Sequence, residues 1–366
     1  MAYEYIISSI LAFIVAFSAT PIAKRLAFKI GAVDVPNDGR RMHSKPIARL
    51  GGLAIVAGFV IAVLYNIIGS LFDGSGLFVL NPKLLGFLAG VVIVVTMGVI
   101  DDIFTLKARY KLIFQVAAAV IIVLSGTRIE NVTNPFAASG MSSLNIYLSY
   151  ALTILWIVGI TNALNLIDGL DGLAAGVSSI ASLSLFVVAV IVGDPYSALL
   201  TAILAGATLG FLPYNFNPAK IFMSDSGANF LGFSLAFISI QGALKSYATI
   251  SIAIPLLILG LPLFDTIFAI IRRVVSKKSI MEADRGHLHH RLMDMGLSQR
   301  QAVIMMYVLS ATLGLCAIVL ADKGFFSAII LIIIVAVFII GGARYFTEIN
   351  NKEDSDSTGV DKEKKE

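Results

Sequence analysis

The sequence predicts an all-α polytopic membrane protein, and three observations carry that prediction. The first is composition. Of 366 residues, 58% are hydrophobic and only 14% are charged, against roughly 25% charged in soluble domains. A mean hydropathy of +0.90 leaves too little polar surface to enclose one water-soluble core. The second is segment length. A hydrocarbon layer of about 30 Å takes roughly 20 helical residues, and the chain offers about eleven apolar runs of that order. The third is the segregation of lysine and arginine into alternate loops between those runs.

The expected spans are about 5–23, 51–70, 82–100, 112–127, 146–163, 173–192, 196–213, 228–244, 247–270, 302–320 and 325–343. The first opens on Glu4 instead of a basic region and has no small-residue cleavage site after it, so it reads as retained. The third has no charge from 84 to 100 and ends in Asp101-Asp102. The fourth is short, and the fifth is preceded by polar, Gly and Pro residues. The sixth and seventh are split only by Gly193-Asp194-Pro195, a tight turn. Gly206-x-x-x-Gly210 in the seventh suits close helix contact. Asp265 interrupts the ninth, where a carboxylate is expected to face the bundle interior or a cavity, or to pair with Arg272 or Arg273. The single cysteine, Cys316, lies in an apolar run and excludes both an internal disulfide and a cysteine-based metal cluster. Residues 1–345 read as one membrane-embedded domain, and 346–366 as a polar, disordered tail.

With eleven spans the termini fall on opposite sides. Of the 27 basic residues, 23 then lie on one face and only Lys83, Arg128, Lys245 and Lys323 on the other. The basic face is the cytoplasmic one, which puts the N-terminus outside and the C-terminus inside. The outer loops gather no titratable groups, so any chemistry is expected on the cytoplasmic face.

Several constellations lie on that face. The segment 34–52 interleaves turn formers with Arg40, Arg41, His43, Lys45 and Arg49. It reads either as positive-inside anchoring or as a clamp for anionic headgroups or phosphates. Asp101 and Asp102, followed by Lys107, Arg109 and Lys111, place adjacent carboxylates where hydrocarbon ends; water, a cation or a proton must compensate them. In a helix, Asn162, Asn165 and Asp168 share one face near the boundary. They suit interhelical hydrogen bonding or a substrate site, and they lack the ligand spacing of a calcium loop. The segment 215–227 carries Asn217, Lys220 and Asp225, the last just before a span, where a hard cation or a phosphate is favoured and a simple helix cap is the alternative. Finally, 284–291 packs Arg285, His287, His289, His290 and Arg291 together. Zinc is disfavoured by the spacing, and diphosphate donors or a solvated charge run are the remaining readings.

A lipid held in the membrane and a diphosphate held outside it would use all of these groups. No P-loop and no segment long enough for an ATP-binding domain is present, which argues against an ATP-driven pump. A secondary transporter would hold its polar groups near the midplane, whereas most lie here at one boundary. No feature suggests nucleic-acid binding.

Five motifs stand in order: R-x-x-H-x-K-P-x-x-R-x-G-G over 40–52, G-x-x-D-D over 98–102, N-A-L-N-L-I-D-G-L-D-G-L-A over 162–174, N-x-x-P-A-K-I-F-M-x-D-S-G over 215–227 and D-R-G-H-L-H-H-R-L over 284–292. With them the sequence resembles the polyprenyl-phosphate N-acetylhexosamine-1-phosphate transferase family. The resemblance implies transfer of a sugar 1-phosphate from a UDP-linked N-acetylhexosamine to undecaprenyl phosphate in the bacterial cell membrane, with release of UMP. It implies Mg2+, for which Mn2+ substitutes. By motif, Asp225 looks like the principal metal ligand, and Asp101 and Asp102 like a catalytic pair, with Asp101 also near the metal. Asn165 and Asp168 look like nucleotide-site residues, and His289, His290 and Arg291 like groups that engage the diphosphate. His43, Lys45, Arg49, Lys111, Asn162, Asn217, Lys220, Asp265, Arg285 and His287 complete the expected substrate-binding set. The G-H-L-H-H-R segment resembles the UDP-GlcNAc branch that starts teichoic acid, O-antigen or related glycans. UDP-MurNAc-pentapeptide is the alternative donor. A homodimer is possible. The sequence departs from the family pattern at Ser224, where glycine is frequent, and at Ala228, where serine is common.

Overall fold

The computed structural model describes residues 2–36, 45–73, 80–133, 141–245, 252–277 and 286–323, with 326, 327, 329, 331 and 333 beyond them. Its helices are α1 (Ala2–Ile30), α2 (Gly52–Asp73), α3 (Pro82–Phe104), α4 (Ala108–Leu124), α5 (Ile146–Ile167), α6 (Leu173–Ile191), α7 (Pro195–Asn215), α8 (Ser224–Lys245), α9 (Ala253–Ile258), α10 (Gly260–Val275), α11 (Leu288–Asp294) and α12 (Gln299–Lys323). Among the described residues, seven helices are long and apolar enough to cross a membrane: α1, α2, α3, α5, α6, α7 and α12. The expected polytopic helical architecture is therefore present. Two short antiparallel ribbons were not anticipated, β1 (Val33–Asp34) with β2 (Ile47–Ala48) and β3 (Asn131–Thr133) with β4 (Met141–Ser143). The tail from 346 and most of the expected span 325–343 lie outside the described residues.

Helix starts follow local chemistry. Asn81 caps α3 by accepting from the Leu84 N–H at 2.8 Å, with Pro82 in the first turn, where its missing N–H costs nothing. Asn145 caps α5 in the same way through Leu148 at 2.9 Å.

The core is built around α8. Every residue from 226 to 241 is buried, and none of them is charged. It packs against α2, α3, α5, α6, α7 and α9. Aromatic rings lock two of those contacts. Phe59 of α2 meets Phe230 edge-on at 5.4 Å, and Phe87 of α3 stacks on Phe237 at 4.3 Å. Outer helices behave oppositely: α1 leaves Ile6, Ile10 and Ile14 exposed, and α3 leaves Leu85 and Val92. Such apolar exteriors suit lipid. The glycine pair of α7 performs its expected part, since a Cβ at Gly206 or Gly210 would strike the α1 backbone at Ser9 or Phe13.

One expected span is corrected. The run 247–270, expected as a single span, is two helices in its described part, α9 and α10, broken at Leu259. The reason is Pro262. Its ring excludes the hydrogen bond to, and crowds, the carbonyl four residues earlier, at Ile258. Past the break α10 buries Asp265, Ala269 and Arg273 and exposes Phe264, Ile267, Phe268 and Ile271.

Because successive long helices run antiparallel, one end of the bundle collects the C-terminal ends of α3, α5 and α7 and the N-terminal ends of α2, α4, α6, α8 and α12. That end gathers the polar motifs.

Candidate active site

The site is assembled on the first turn of α8. A helix N-terminus leaves its leading N–H groups without intrahelical partners, and here other segments supply carboxylates. Asp102, at the end of α3, accepts from Asp225 N at 3.1 Å through Oδ1 and from Ser226 N at 3.2 Å through Oδ2. Asp168, just past α5, faces the Ser224 backbone N–H, which favours its charged form. One carboxylate thus caps the helix and a second lies beside its N-terminus, where the dipole favours both. Close approach makes this geometry available. A Cβ at Gly98 would collide with the backbone of Asp225 and Ser226, and one at Gly52 with that of Ser226 and Gly227.

Asp101 and Asp225 meet in front of this cap. Thr105 turns the chain left-handed at φ 55° and returns its N–H to the Asp101 carbonyl at 2.8 Å. The reversal starts α4 and brings Lys111 back over the carboxylates. Its Nζ lies 2.5 Å from Asp101 Oδ2 and also pairs with Asp225 Oδ2. Asp101 Oδ1 accepts from Leu106 N at 2.5 Å, and Asp225 Oδ1 from the Asn165 amide at 3.0 Å. Burial pushes Asp168 up to about 8, reinforced by Asp225 and Asp102 and opposed by the Ser224 N–H.

Behind Asp225 lies an amide layer that sequence reasoning saw only in part. The Asn162 amide donates to Gln115 Oε1 at 2.7 Å, Gln115 Nε2 to Asn229 Oδ1 at 2.8 Å, and Asn229 Nδ2 to the Asp225 carbonyl at 2.8 Å. Asn162 was a predicted substrate residue; its side chain instead faces this layer. Gln115 and Asn229 were missed. The available signal was an amide inside each of two apolar runs, with Asn229 one turn beyond Asp225.

The histidine segment reaches the same end through α10. Asp265 lies 2.8 Å from His287 Nδ1, which donates to it, and accepts from Leu288 N at 2.8 Å, so it both orients His287 and starts α11. The His287 and His289 rings stack in parallel at 5.8 Å, and His289 lies against Gly169, next to Asp168. Burial, with His290 and His287 nearby, lowers His289 to about 4. His290 is half-buried and Arg291 faces outward.

Other candidates lie farther out. Asn217 donates to Asp171 at 3.0 Å and to Gln299 at 2.8 Å, tying the loop after α7 to the loop after α5 and to α12. Lys220 is exposed, 5.9 Å from the Tyr214 ring. Arg49 pairs with Asp34 at 2.5 Å, and Lys45 is exposed. The chain from Ala48 to Gly52 is joined to the segment leading into α8 by Phe222 N to Ala48 O, Gly51 N to Phe222 O and Gly52 N to Met223 O, all 2.9–3.0 Å. His43 and Arg285 lie outside the described residues.

Among the described residues, no three His, Cys, Asp or Glu side chains form a ready metal cage. Asp102 accepts from two backbone N–H groups, Asp168 lies beside the same helix N-terminus, and an ammonium bridges the other two carboxylates. The donor set nevertheless suits a hard divalent cation: aspartate oxygens, with a cation already between Asp101 and Asp225.

Known proteins share this arrangement's sequence. The model described as glycosyl transferase family 4 matches residues 84–243, from α3 into α8. The chain is 42% identical over 342 residues to a Bacillus subtilis (strain 168) protein described as a probable undecaprenyl-phosphate N-acetylglucosaminyl 1-phosphate transferase, covering 92% of each. It is 33% identical over 344 residues to the decaprenyl-phosphate N-acetylglucosaminephosphotransferase of Mycobacterium tuberculosis (strain CDC 1551 / Oshkosh), covering 88% of this chain and 83% of the relative. It is 26% identical over 308 residues to the undecaprenyl-phosphate alpha-N-acetylglucosaminyl 1-phosphate transferase of Salmonella typhi, covering 80% and 77%. Similarity over nearly the whole length, with the carboxylate cluster inside the matched segment, establishes that the chain belongs to the polyprenyl-phosphate N-acetylhexosamine-1-phosphate transferases of glycosyl transferase family 4.

Proposed function

We propose that this protein transfers N-acetylglucosamine 1-phosphate from UDP-GlcNAc to undecaprenyl phosphate, leaving undecaprenyl-diphospho-GlcNAc and UMP. The observation that carries the reading is the meeting of Asp101 and Asp225 over Lys111 at the end of an apolar bundle, in a chain of this family. The relatives' names supply the acceptor and the sugar. The site end coincides with the basic loops, which supports a site facing the cytoplasm in an inner or plasma membrane; eleven spans would then put the N-terminus outside.

Asp225 and Asp101 would hold Mg2+, with Mn2+ as substitute. When bound, the ion would neutralise the diphosphate and stabilise charge on the leaving UMP. The chain's own groups do the rest. Asp102 holds the first turn of α8, Asp168 lies beside it, and Asn165 orients the Asp225 carboxylate. His290 and Arg291, at the rim, are placed to meet diphosphate oxygens with charge-assisted hydrogen bonds. A lipid phosphate oxygen then attacks the sugar-bound phosphorus; that bond forms as the bond to UMP breaks. Both Asp102 oxygens accept backbone N–H groups, which gives Asp102 a positioning part and leaves Asp101, beside Lys111 and Asp225, as the member of the pair that faces the metal and the attacking phosphate.

The test is UMP release by purified protein given undecaprenyl phosphate, Mg2+ and UDP-GlcNAc. Asp225→Ala should abolish it. Turnover with UDP-MurNAc-pentapeptide and none with UDP-GlcNAc would overturn the donor assignment. Uptake of substrate into sealed vesicles without conversion would favour a transporter.

A further inference from the structure

Lys111 occupies the position between the two carboxylates proposed to hold the metal. Its Nζ pairs with Asp101 Oδ2 at 2.5 Å and with Asp225 Oδ2, and a divalent cation on the same oxygens would stand at contact distance from that ammonium. At contact distance in a partly buried site, repulsion between the two cations is large. Lys111 has a way out. It stands on the first turn of α4, and its side chain is 23% exposed. The other neighbours of the pair do not compete for its place. Asn165 takes the second oxygen of Asp225, Leu106 N takes that of Asp101, and Asp102 is held by the N-terminus of α8.

We propose, given the metal-dependent transfer proposed above, that Lys111 is an internal counterion that yields its carboxylates to the divalent cation and passes to the diphosphate of the donor. Metal and diphosphate then bind cooperatively. A metal ion entering alone strands an ammonium beside a dication. A diphosphate entering alone confronts carboxylates whose one bridging cation is engaged. Entering together, each relieves the charge the other leaves. Because the coupling is between binding free energies, it is reciprocal: UDP tightens the metal as much as the metal tightens UDP.

The test measures Mn2+ binding to the full-length protein in detergent, by the electron paramagnetic resonance signal of free Mn2+, with and without UDP. In wild type, saturating UDP is expected to tighten Mn2+ by about 10-fold, within the usual range of coupling. Lys111→Gln should bind Mn2+ without UDP about 10-fold more tightly than wild type, and UDP should then add little. Lys111→Arg keeps the charge and should stay close to wild type without UDP. Equal or weaker Mn2+ binding by Lys111→Gln overturns the counterion role and leaves the metal assignment standing. So does a wild type whose Mn2+ affinity ignores UDP, a result that does not depend on any variant folding. Absence of Mn2+ binding in every protein, with or without UDP, overturns both.

Discussion

Single residues divide the labour of the two adjacent aspartates. Asp101 faces Lys111, while Asp102 spends both oxygens on the N–H groups of Asp225 and Ser226. Asp102→Asn turns one acceptor into a donor that meets an N–H head-on, so it should loosen the turn that carries Asp225. Turnover should fall by about 10- to 100-fold, from a misplacement of roughly 1 Å. KM for UDP-GlcNAc should change little, and unchanged kcat would contradict the capping role. Ser224 offers a second test. It sits at φ 58°, a conformation costing a side-chain-bearing residue about 1–2 kcal/mol. Glycine adopts it freely but loses more chain entropy on folding. Ser224→Gly should therefore stabilise the protein by about 0.5–1 kcal/mol, seen as a higher midpoint in thermal unfolding; a lower midpoint would refute the strain. The charged members of this cluster were legible in the sequence because carboxylates beside hydrocarbon demand compensation. Gln115 and Asn229 were not, because a single amide in an apolar run does not reveal its partner until three helices are packed.

At the scale of elements, α11 explains the histidines better than their spacing did. Asp265, expected to face a cavity or an arginine, anchors His287 and the start of α11, which carries buried His289 to Gly169. His289 falls from an ordinary 6.5 to about 4, and its Nδ1 has no hydrogen-bond partner among the described residues. Between those two values the unfolded chain binds the proton and the folded chain does not. Stability is therefore full above about 6.5 and is lost as pH falls toward 4, by at most about 3 kcal/mol. Thermal unfolding of the detergent-purified protein should show its midpoint dropping between pH 7 and 4.5. His289→Phe should flatten that slope, and an unaltered slope would assign the acid sensitivity elsewhere. Spacing could not foresee the α9–α10 break, because the apolar run continues across it. The proline that causes it was in view, but prolines are tolerated in membrane helices when neighbours take up the freed groups.

For the whole molecule, composition and loop charge made the membrane class legible, and the order of the motifs made the family legible. The hub role of α8 was hidden, since its sequence is no more apolar than its neighbours'. Burial on all sides emerges only when six other helices surround it. That placement gives the bundle one consequence: the charged first turn of its most buried helix becomes the floor of the site, with lipid beyond the outer helices and water above. The central claim is that this floor joins a lipid phosphate to a UDP-linked N-acetylhexosamine. It is tested most directly by measuring UMP release across a panel of UDP-sugars with undecaprenyl phosphate and Mg2+. Release with UDP-GlcNAc that requires the lipid, the metal and Asp225 is the predicted result. No UMP from any UDP-sugar, by folded protein supplied with lipid and metal, would contradict it.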